Sequence, residues 1–203
     1  MLHYECLRPP VLELLTRLFK QDFLDQFYLV GGTALSLQTG HRISEDLDFF
    51  SNEIFDPDEL STNLKITGDC KVIGKSGNTL NMIINDVKVD LIRHDYPLVR
   101  PLIEEDRIRF FSKQDIGAAK LNSIINRGVK KDFYDLFFLL KDYPLNELVR
   151  YFGVKYGNEM EFAVLKSLTY FEDAESEPDP VMLIEVSWDE VKNHIRELIR
   201  SKF

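Results

Sequence analysis

Two aspartates spaced one residue apart, Asp46 and Asp48, are the residues that most directly indicate chemistry in this chain. They belong to the segment Asp46-Leu47-Asp48-Phe49-Phe50, which we predict to be a β-strand. Because strand side chains alternate, both carboxylates point to one face, and Leu47 and Phe49 point to the other. Adjacent carboxylates repel each other, and a divalent cation such as Mg²⁺ or Mn²⁺ relieves that repulsion. The pattern indicates a metal site, with a solvated acidic face as the alternative.

A pair of glycines precedes the aspartates. The apolar run Tyr28-Leu29-Val30 predicts a buried strand that ends at Gly31 and Gly32, where the backbone is free to let a ligand approach closely. Thr33 then occupies the predicted N-cap of a short helix, which Gly40 closes. A helix N-terminus with exposed N–H groups is suited to a phosphate. We therefore predict that Gly31, Gly32 and Thr33 bind phosphate, with an ordinary turn as the alternative.

A hairpin and a further strand follow the aspartate pair. Turn residues around Gly77 separate two strand-like runs, and Asn85-Asp86 leads into a third run that ends near Ile92. In this third run the apolar residues alternate, which places Asp90 on the opposite face together with Lys88. A solvent-facing aspartate on an amphipathic strand is the alternative for Asp90.

The pattern changes to helices after the breaks at Tyr96-Pro97 and Arg100-Pro101. We therefore divide the chain into a core with an N-terminal helix, residues 1–100, and a helical region, residues 101–203. The acidic, proline-containing stretch 172–180 is expected to be an exposed, non-helical connection. Between positions 112 and 131 five basic residues accompany one acidic residue: Lys113, Lys120, Arg127, Lys130, Lys131 and Asp115. This local reversal of charge suits a triphosphate or an RNA backbone, with a solvated basic helix face as the alternative.

The segment from Gly31 to Phe50 resembles a known family. Gly31-Gly32-Thr33-Ala34-Leu35 followed by His41-Arg42-x-Ser44-x-Asp46-Leu47-Asp48-Phe49-Phe50 is similar to the nucleotidyltransferase superfamily and, more narrowly, to the AbiEii/AbiGii toxins of bacterial abortive-infection and toxin–antitoxin systems. The resemblance extends more loosely from about Phe27 to Leu140. It implies an α+β fold, in which a small mixed β-sheet core is flanked by helices and followed by a C-terminal helical region.

The resemblance also implies roles for further residues. Asp90 matches the third carboxylate of the metal site, and Asp86 and Asp95, both in turn-like positions, are weaker alternatives. Lys120 and Asp132 match a functional lysine in an Ala-x-Lys-Leu-like context and a functional aspartate in a Lys-Asp-x-x-Asp-Leu-like context. Spacing does not separate Asp132 from Asp135, which lies one helical turn later. Arg42 is expected either to contact a phosphate or to be structural.

The function implied is a Mg²⁺-dependent transfer of a nucleoside monophosphate from a nucleoside triphosphate to an acceptor. A tRNA 3′ end or another RNA is the first acceptor to consider, and a protein hydroxyl is the second. A catalytically silent module that binds a nucleoside triphosphate or a partner is an alternative from a different class. Membership of a toxin family further implies a cognate antitoxin as a partner.

Composition limits these expectations. The 203 residues fit one large domain or a core with a helical annex, and 44% hydrophobic content with 15 Phe is sufficient for a substantial core. The net charge of −9 argues against nucleic-acid affinity spread over the whole surface, so a local basic patch must bind any RNA. Two distant cysteines, the absence of a signal pattern and the absence of a long apolar run lead us to expect a reduced, cytoplasmic, soluble protein with no membrane partner.

Overall fold

One seven-stranded mixed sheet organises the computed structural model, which describes residues 1–201. Its strands are β1 Tyr28–Leu29, β2 Leu47–Ser51, β3 Cys70–Ser76, β4 Thr79–Ile84, β5 Val87–Arg93, β6 Ile103–Glu105 and β7 Ile108–Phe110. Their order across the sheet is β3-β4-β5-β2-β1-β7-β6. Strand β2 runs antiparallel to β1 and parallel to β5, and β1 runs parallel to β7. With the helices that flank it, this sheet confirms the predicted α+β fold with a small mixed sheet.

Helices cover the sheet and form most of the C-terminal half. They are α1 Pro9–Leu18, α2 Gly31–Thr39, α3 Pro57–Asn63, α4 Lys113–Asn126, α5 Lys130–Asp142, α6 Leu145–Tyr156, α7 Glu161–Ser167, α8 Glu172–Glu175 and α9 Trp188–Arg200. Helix α4 packs against α2, α5, α6 and α7, and α9 packs against α5. Within residues 1–201 there is no helix with the length and apolar character needed to cross a membrane.

The turns of the β3-β4-β5 meander set the register that places Asp90. Strands β3 and β4 pair antiparallel across the turn at Gly77, as predicted. Between β4 and β5, Asn85 and Asp86 both have positive φ, 49° and 63°. Two-residue turns with positive φ match the twist of a hairpin, and Asn and Asp tolerate this conformation. The resulting register pairs Asp90 with Asn81 and buries Val87, Val89 and Leu91, which confirms the predicted alternation of β5.

Two elements of the second half differ from the sequence-based expectation. Strands β6 and β7 lie beyond position 100, where we expected only helices, and β7 joins the sheet through β1. Each is three residues long, too short for a periodic pattern to be recognised. The stretch 172–180 is not wholly irregular, because α8 forms one helical turn at its start. The division into residues 1–100 and 101–203 stays a prediction, although the sheet takes strands from both parts.

A buried ion pair attaches the loop between β5 and β6 to the helices. Asp115 in α4 is fully buried and accepts hydrogen bonds from the backbone N–H groups of Val99 and Arg100, at 2.8 and 3.0 Å. It also accepts one from the Lys155 ammonium at 2.9 Å, and Lys155 donates a second to the Pro97 carbonyl at 2.9 Å. Because a buried charge must be paired and hydrogen-bonded, these contacts fix the loop beside the first turn of α4.

Candidate active site

The pairing of β2 with β5 brings the predicted carboxylates together. The two strands are parallel, and Asp48 lies directly opposite Asp90. Directly opposed residues of neighbouring strands point to the same face of the sheet. Strand β2 begins at Leu47, so the strand predicted to start at Asp46 began one residue too early. Asp46 lies just before the strand, two residues from Asp48. All three aspartates line one cavity of about 370 Å³ between the sheet and α4.

Repulsion among these acids is visible in the pKa of Asp48. Burial raises the pKa of this carboxyl, and the charges of Asp90 and Asp46 raise it further. Like charges held close together disfavour ionisation unless a cation compensates them. The three carboxylates lie on one wall, and the anionic form of Asp48 is destabilised there. Such a set of oxygen donors is suited to a hard divalent cation such as Mg²⁺.

Lysine side chains pair with two of the three aspartates that line the cavity. Asp90 accepts a hydrogen bond from the Lys88 ammonium at 2.6 Å, and Asp46 lies 3.6 Å from the ammonium of Lys131. Among the residues that the structure describes, no three His, Cys, Asp or Glu side chains form a ready-made metal-ligand group. The carboxylates therefore share a wall of the cavity without converging on one point.

Gly31 allows the backbone to pass close to the carboxylates. Its φ is +69°, and a Cβ atom at this position would lie only 2.7 Å from Asp48 Oδ2. Helix α2 begins at Gly31 itself and is preceded by Val30, whose apolar side chain cannot cap it. The first N–H groups of a helix have no acceptor within the helix, so without a side-chain cap they are available to an anion. Gly31 and Gly32 both line the cavity, as a phosphate site requires.

Thr33 has a different role from the one predicted. The prediction that it caps the helix is wrong, because Val30 is the N-cap and the helix starts at Gly31, three residues earlier than predicted. Thr33 is buried in the first turn and is not among the residues lining the cavity. Its hydroxyl donates to the backbone carbonyl of Asp46 and lies 2.8 Å from Ser44 Oγ. The structure places Thr33 behind the segment that carries Asp46, where it fixes that segment.

Gly32 makes room for Arg42. A Cβ atom at position 32 would collide with the Arg42 guanidinium and would lie 3.4 Å from Asp135 Oδ2. Arg42 is buried, and its Nε and Nη2 donate to the two carboxylate oxygens of Asp135 at 2.6 and 2.9 Å. Such bidentate pairs are among the strongest charge-assisted hydrogen bonds in proteins. Arg42 therefore has a structural partner, and it also lines the cavity.

Asp135 is the centre of a buried network of charges. Besides Arg42, two other groups contact the Asp135 carboxylate. The ring Nε2 of His41 lies 2.9 Å from it, and the ammonium of Lys120 lies 2.5 Å from it. Burial alone would raise the pKa of Asp135, but Arg42, Lys120 and His41 together lower it well below its usual value. We call the set His41, Arg42, Lys120, Asp132 and Asp135 the Asp135 network. It joins the segment after α2 to helices α4 and α5.

Lys120 is the member of this network that faces the carboxylates of the cavity. Its ammonium donates to Asp132 at 2.7 Å, and Asp132 also accepts from Arg127 at 3.1 Å. Burial lowers the pKa of Lys120, but Asp132 and Asp135 outweigh that effect, so the pKa is raised and the ammonium remains charged. Asp132 is fully buried and is not among the cavity-lining residues. It therefore positions Lys120, as Asp135 does, and is not placed to contact substrate itself.

The basic segment of positions 112–131 is not a free basic face. Lys113 pairs with Asp142 at 2.6 Å and Lys130 pairs with Asp179 at 3.1 Å, so these charges are compensated by acids elsewhere in the chain. Three partly paired cations remain about half exposed around the cavity: Lys88, Arg127 and Lys131. We call these three residues the rim cations. They are the local positive charge that the sequence led us to expect, although Lys88 lies outside the predicted segment.

Several cavity-lining residues were missed by sequence reasoning, among them Asn122, Ser123 and Asn126 on α4. Ser44 and Phe50 line the cavity on the same side as the aspartates. Both could have been found by extending the period of two in each direction, because Ser44, Asp46, Asp48 and Phe50 are successive alternate residues. The prediction used only the two charged residues of this alternation, Asp46 and Asp48.

Comparison with known structures identifies the class of protein that this fold and site define. JHP933 from Helicobacter pylori superposes with a TM-score of 0.59 at 17% identity, covering 98% of this chain and 89% of that one. MenT4, the nucleotidyltransferase toxin Rv2826c from Mycobacterium tuberculosis H37Rv, superposes with a TM-score of 0.58 at 15% identity, covering 93% and 80%. The fold is therefore that of nucleotidyltransferases.

Sequence comparison then identifies the family. An uncharacterized protein of Aquifex aeolicus (strain VF5), aq_aa25, is 33% identical over 194 residues, which is 93% of each chain. The family model for the nucleotidyl transferase AbiEii toxin of type IV toxin–antitoxin systems matches residues 13–201. The chain belongs to this family and is a nucleotidyltransferase of the toxin class, which confirms the resemblance noted from its motifs.

Gly32→Ala is expected to lower the free energy of unfolding by about 2 kcal/mol, because the added methyl group displaces Arg42 from Asp135. Gly74→Ala is the control, since the φ of Gly74 lies outside the left-handed region and the nearest atom to its added Cβ is 3.6 Å away. We expect that control to change stability by less than about 1 kcal/mol. Urea denaturation measures both, and equal stability of the two variants would contradict the role assigned to Gly32.

The lowered pKa of Asp135 predicts a specific pH dependence. A carboxyl with a lowered folded pKa adds stability above its unfolded pKa of about 3.9 and loses it as the pH falls through the folded value. Asp135→Asn should therefore cost about 3 kcal/mol at pH 7, and its difference from wild type should shrink below about pH 4. Asp142→Asn on the same helix, whose pair with Lys113 is exposed, should cost less than about 1 kcal/mol. Urea titrations from pH 3 to 7 test this, and a difference that does not vary with pH would refute it.

Proposed function

We propose that this nucleotidyltransferase transfers a nucleoside monophosphate from a nucleoside triphosphate to a hydroxyl of an acceptor, with Mg²⁺ or Mn²⁺ as its cofactor. One observation carries the proposal: the cavity places Asp46, Asp48 and Asp90 opposite Lys120 and beside the uncapped N-terminus of α2. Acidic ligands for a cation and N–H donors for phosphates are the two components that nucleotidyl transfer requires.

Each part of the cavity has a role in this reaction. The N–H groups at Gly31 and Gly32 would hold the distal phosphates, and Arg42 and Lys120 would neutralise their charge. Asp46, Asp48 and Asp90 would hold the divalent cation, which supplies stabilisation of the charge on the entering and leaving oxygens. Asp90 would also accept the proton of the attacking hydroxyl. Its hydrogen bonds from Lys88 and from Asn81, at 2.6 and 2.8 Å, hold it in place.

The rim cations favour RNA as the acceptor over a protein hydroxyl. Lys88, Arg127 and Lys131 surround the carboxylates with exposed positive charge in a chain whose net charge is −9. Lys and Arg side chains near a nucleic-acid backbone supply affinity that does not depend on sequence. A tRNA 3′ end is the first candidate that the family resemblance suggests. We further propose a cytoplasmic site of action and a cognate antitoxin as partner.

Asp48→Asn is expected to reduce nucleotidyl transfer by at least about a hundredfold, because it removes a central ligand of the cation. The same change removes one of the repelling charges, so the free energy of unfolding should stay unchanged or rise by up to about 1 kcal/mol. Asp86→Asn, in an exposed turn where Asn tolerates the positive φ, is the control and should keep full activity. Transfer assays and urea denaturation give both readouts. Activity within a few-fold of wild type in Asp48→Asn would disprove the assignment.

Lys131→Gln is expected to weaken RNA use several-fold and to reduce the dependence of RNA binding on salt, because one cation of the rim is lost. Lys71→Gln on strand β3, outside the cavity lining, is the control and should behave like wild type. The assay incubates each protein with labelled nucleoside triphosphates and either total RNA or lysate protein. Label appearing only on protein would overturn the RNA proposal. Triphosphate binding without any labelled product would indicate a silent binding module.

A further inference from the structure

The strand register orders the parts of the cavity along β2. Strand β1 runs antiparallel to β2 and pairs Tyr28 with Phe50 and Leu29 with Phe49, so the chain reaches Gly31 beyond Asp48, at the end opposite Phe50. Phe50 follows Asp48 by two residues and points to the same face, about 6.6 Å further along the strand. The order along the cavity wall is therefore the glycine turn, then the carboxylates, then Phe50.

The end of the cavity at Phe50 is apolar. On the neighbouring strands β2 and β5, Asp48 pairs with Asp90, and two residues later Phe50 pairs with Ile92. A pair of carboxylates is therefore followed by a pair of apolar side chains. Ile116 and Ala119, on the first turns of α4, line the same cavity. The opposite end carries Gly31, Asp46 and other polar groups. A ligand that fills both ends meets backbone N–H groups and carboxylates at one end and the apolar side chains of Phe50 and Ile92 at the other.

The ring of Phe50 is held in place by stacking. It lies nearly parallel to the ring of His94, with centroids 4.2 Å apart and an interplanar angle of 17°. His94 in turn contacts Tyr96 at 4.9 Å, and Tyr96 contacts Tyr156 at 4.8 Å. Burial, followed by the charge of Lys155, lowers the pKa of His94 to about 4, so its ring is neutral near pH 7. Phe50 is thus half-buried, backed on one face by an uncharged ring, and still part of the cavity wall.

We propose that the apolar end of the cavity is a nucleobase subsite, in which the base of the incoming nucleoside triphosphate stacks on Phe50. This inference rests on the proposed function, because it places the distal phosphates at the glycine turn and the α-phosphate at the carboxylates. The nucleoside then extends toward Phe50, the next residue in the order along β2. Every base has an aromatic face, so stacking on Phe50 supplies affinity for all four nucleotides without selecting among them.

The test measures binding without any acceptor. Isothermal titration calorimetry in MgCl₂ compares wild type, Phe50→Leu and Phe50→Tyr with ATP, GTP, CTP and UTP, and with inorganic tripolyphosphate. Phe50→Leu keeps an apolar side chain but removes the ring, so we expect about tenfold weaker binding of every nucleotide that wild type binds. Tripolyphosphate should bind as it does to wild type. Phe50→Tyr restores a ring and should restore nucleotide binding, and unchanged tripolyphosphate binding by Phe50→Leu excludes a general structural defect.

Other outcomes overturn the inference in distinguishable ways. Nucleotide affinity within twofold of wild type in Phe50→Leu shows that no base stacks there. If in addition its KM for RNA rises, the ring serves the acceptor. Parallel loss of tripolyphosphate binding shows that Phe50 acts by supporting Asp48. If wild type itself binds neither nucleotides nor tripolyphosphate, the proposed function fails, and the base subsite fails with it.

Discussion

A single buried carboxylate, that of Asp135, holds together the segments of the chain that build the cavity. An unpaired charge at such depth would cost several kcal/mol, so the chain must bring cations to it. Arg42 arrives from the segment after α2, and Lys120 arrives from α4, while Asp135 itself belongs to α5. Satisfying this one acid therefore draws three separate segments together. The position of Lys120 in the cavity follows from that requirement, and Gly32 is needed because Arg42 passes over it on the way to Asp135.

The cavity has an acidic wall on the sheet and a basic wall on the helices, and the charges of the two walls are compensated to different degrees. On the sheet, Asp46, Asp48 and Asp90 are held close together with incomplete compensation, which raises the pKa of Asp48. On the helices, Lys120 is held by two buried acids that keep it charged. The helical wall is thus electrostatically satisfied and contributes to stability, whereas the sheet wall stores repulsion that a bound cation would relieve. Such an arrangement is typical of a site built for function at some expense of stability.

Strand geometry explains what the sequence could and could not predict. Alternation placed Asp46 and Asp48 on one face correctly, because a period of two leaves no other choice within one strand. Asp90 was added by the family resemblance, and it is the pairing of β2 with β5 that brings it opposite Asp48. The helix start at Gly31 was missed because it depends on a positive φ that sequence pattern does not reveal, and Thr33 was misassigned in consequence. The basic segment was predicted either to face a phosphate group or to be solvated, and its ion pairs were missed because the partners are distant in sequence, as in the pair of Lys130 with Asp179. Strands β6 and β7 were missed because each depends on pairing with other strands and not on local periodicity.

The charge distribution also limits which part of the proposed RNA acceptor could be held. A net charge of −9 repels a polyanion, but at physiological salt this repulsion is screened beyond about 8 Å. The rim cations therefore act only on phosphates close to the cavity, and most of the remaining surface offers no attraction to a long duplex. We expect contacts with a few nucleotides, which suits the end of a strand better than an internal site. In the proposed reaction a triphosphate would fill part of the cavity of about 370 Å³, and a terminal hydroxyl is the group that would enter the remaining space. The small number of exposed cations thus supports the 3′ terminus as the part of the proposed RNA acceptor that would be held.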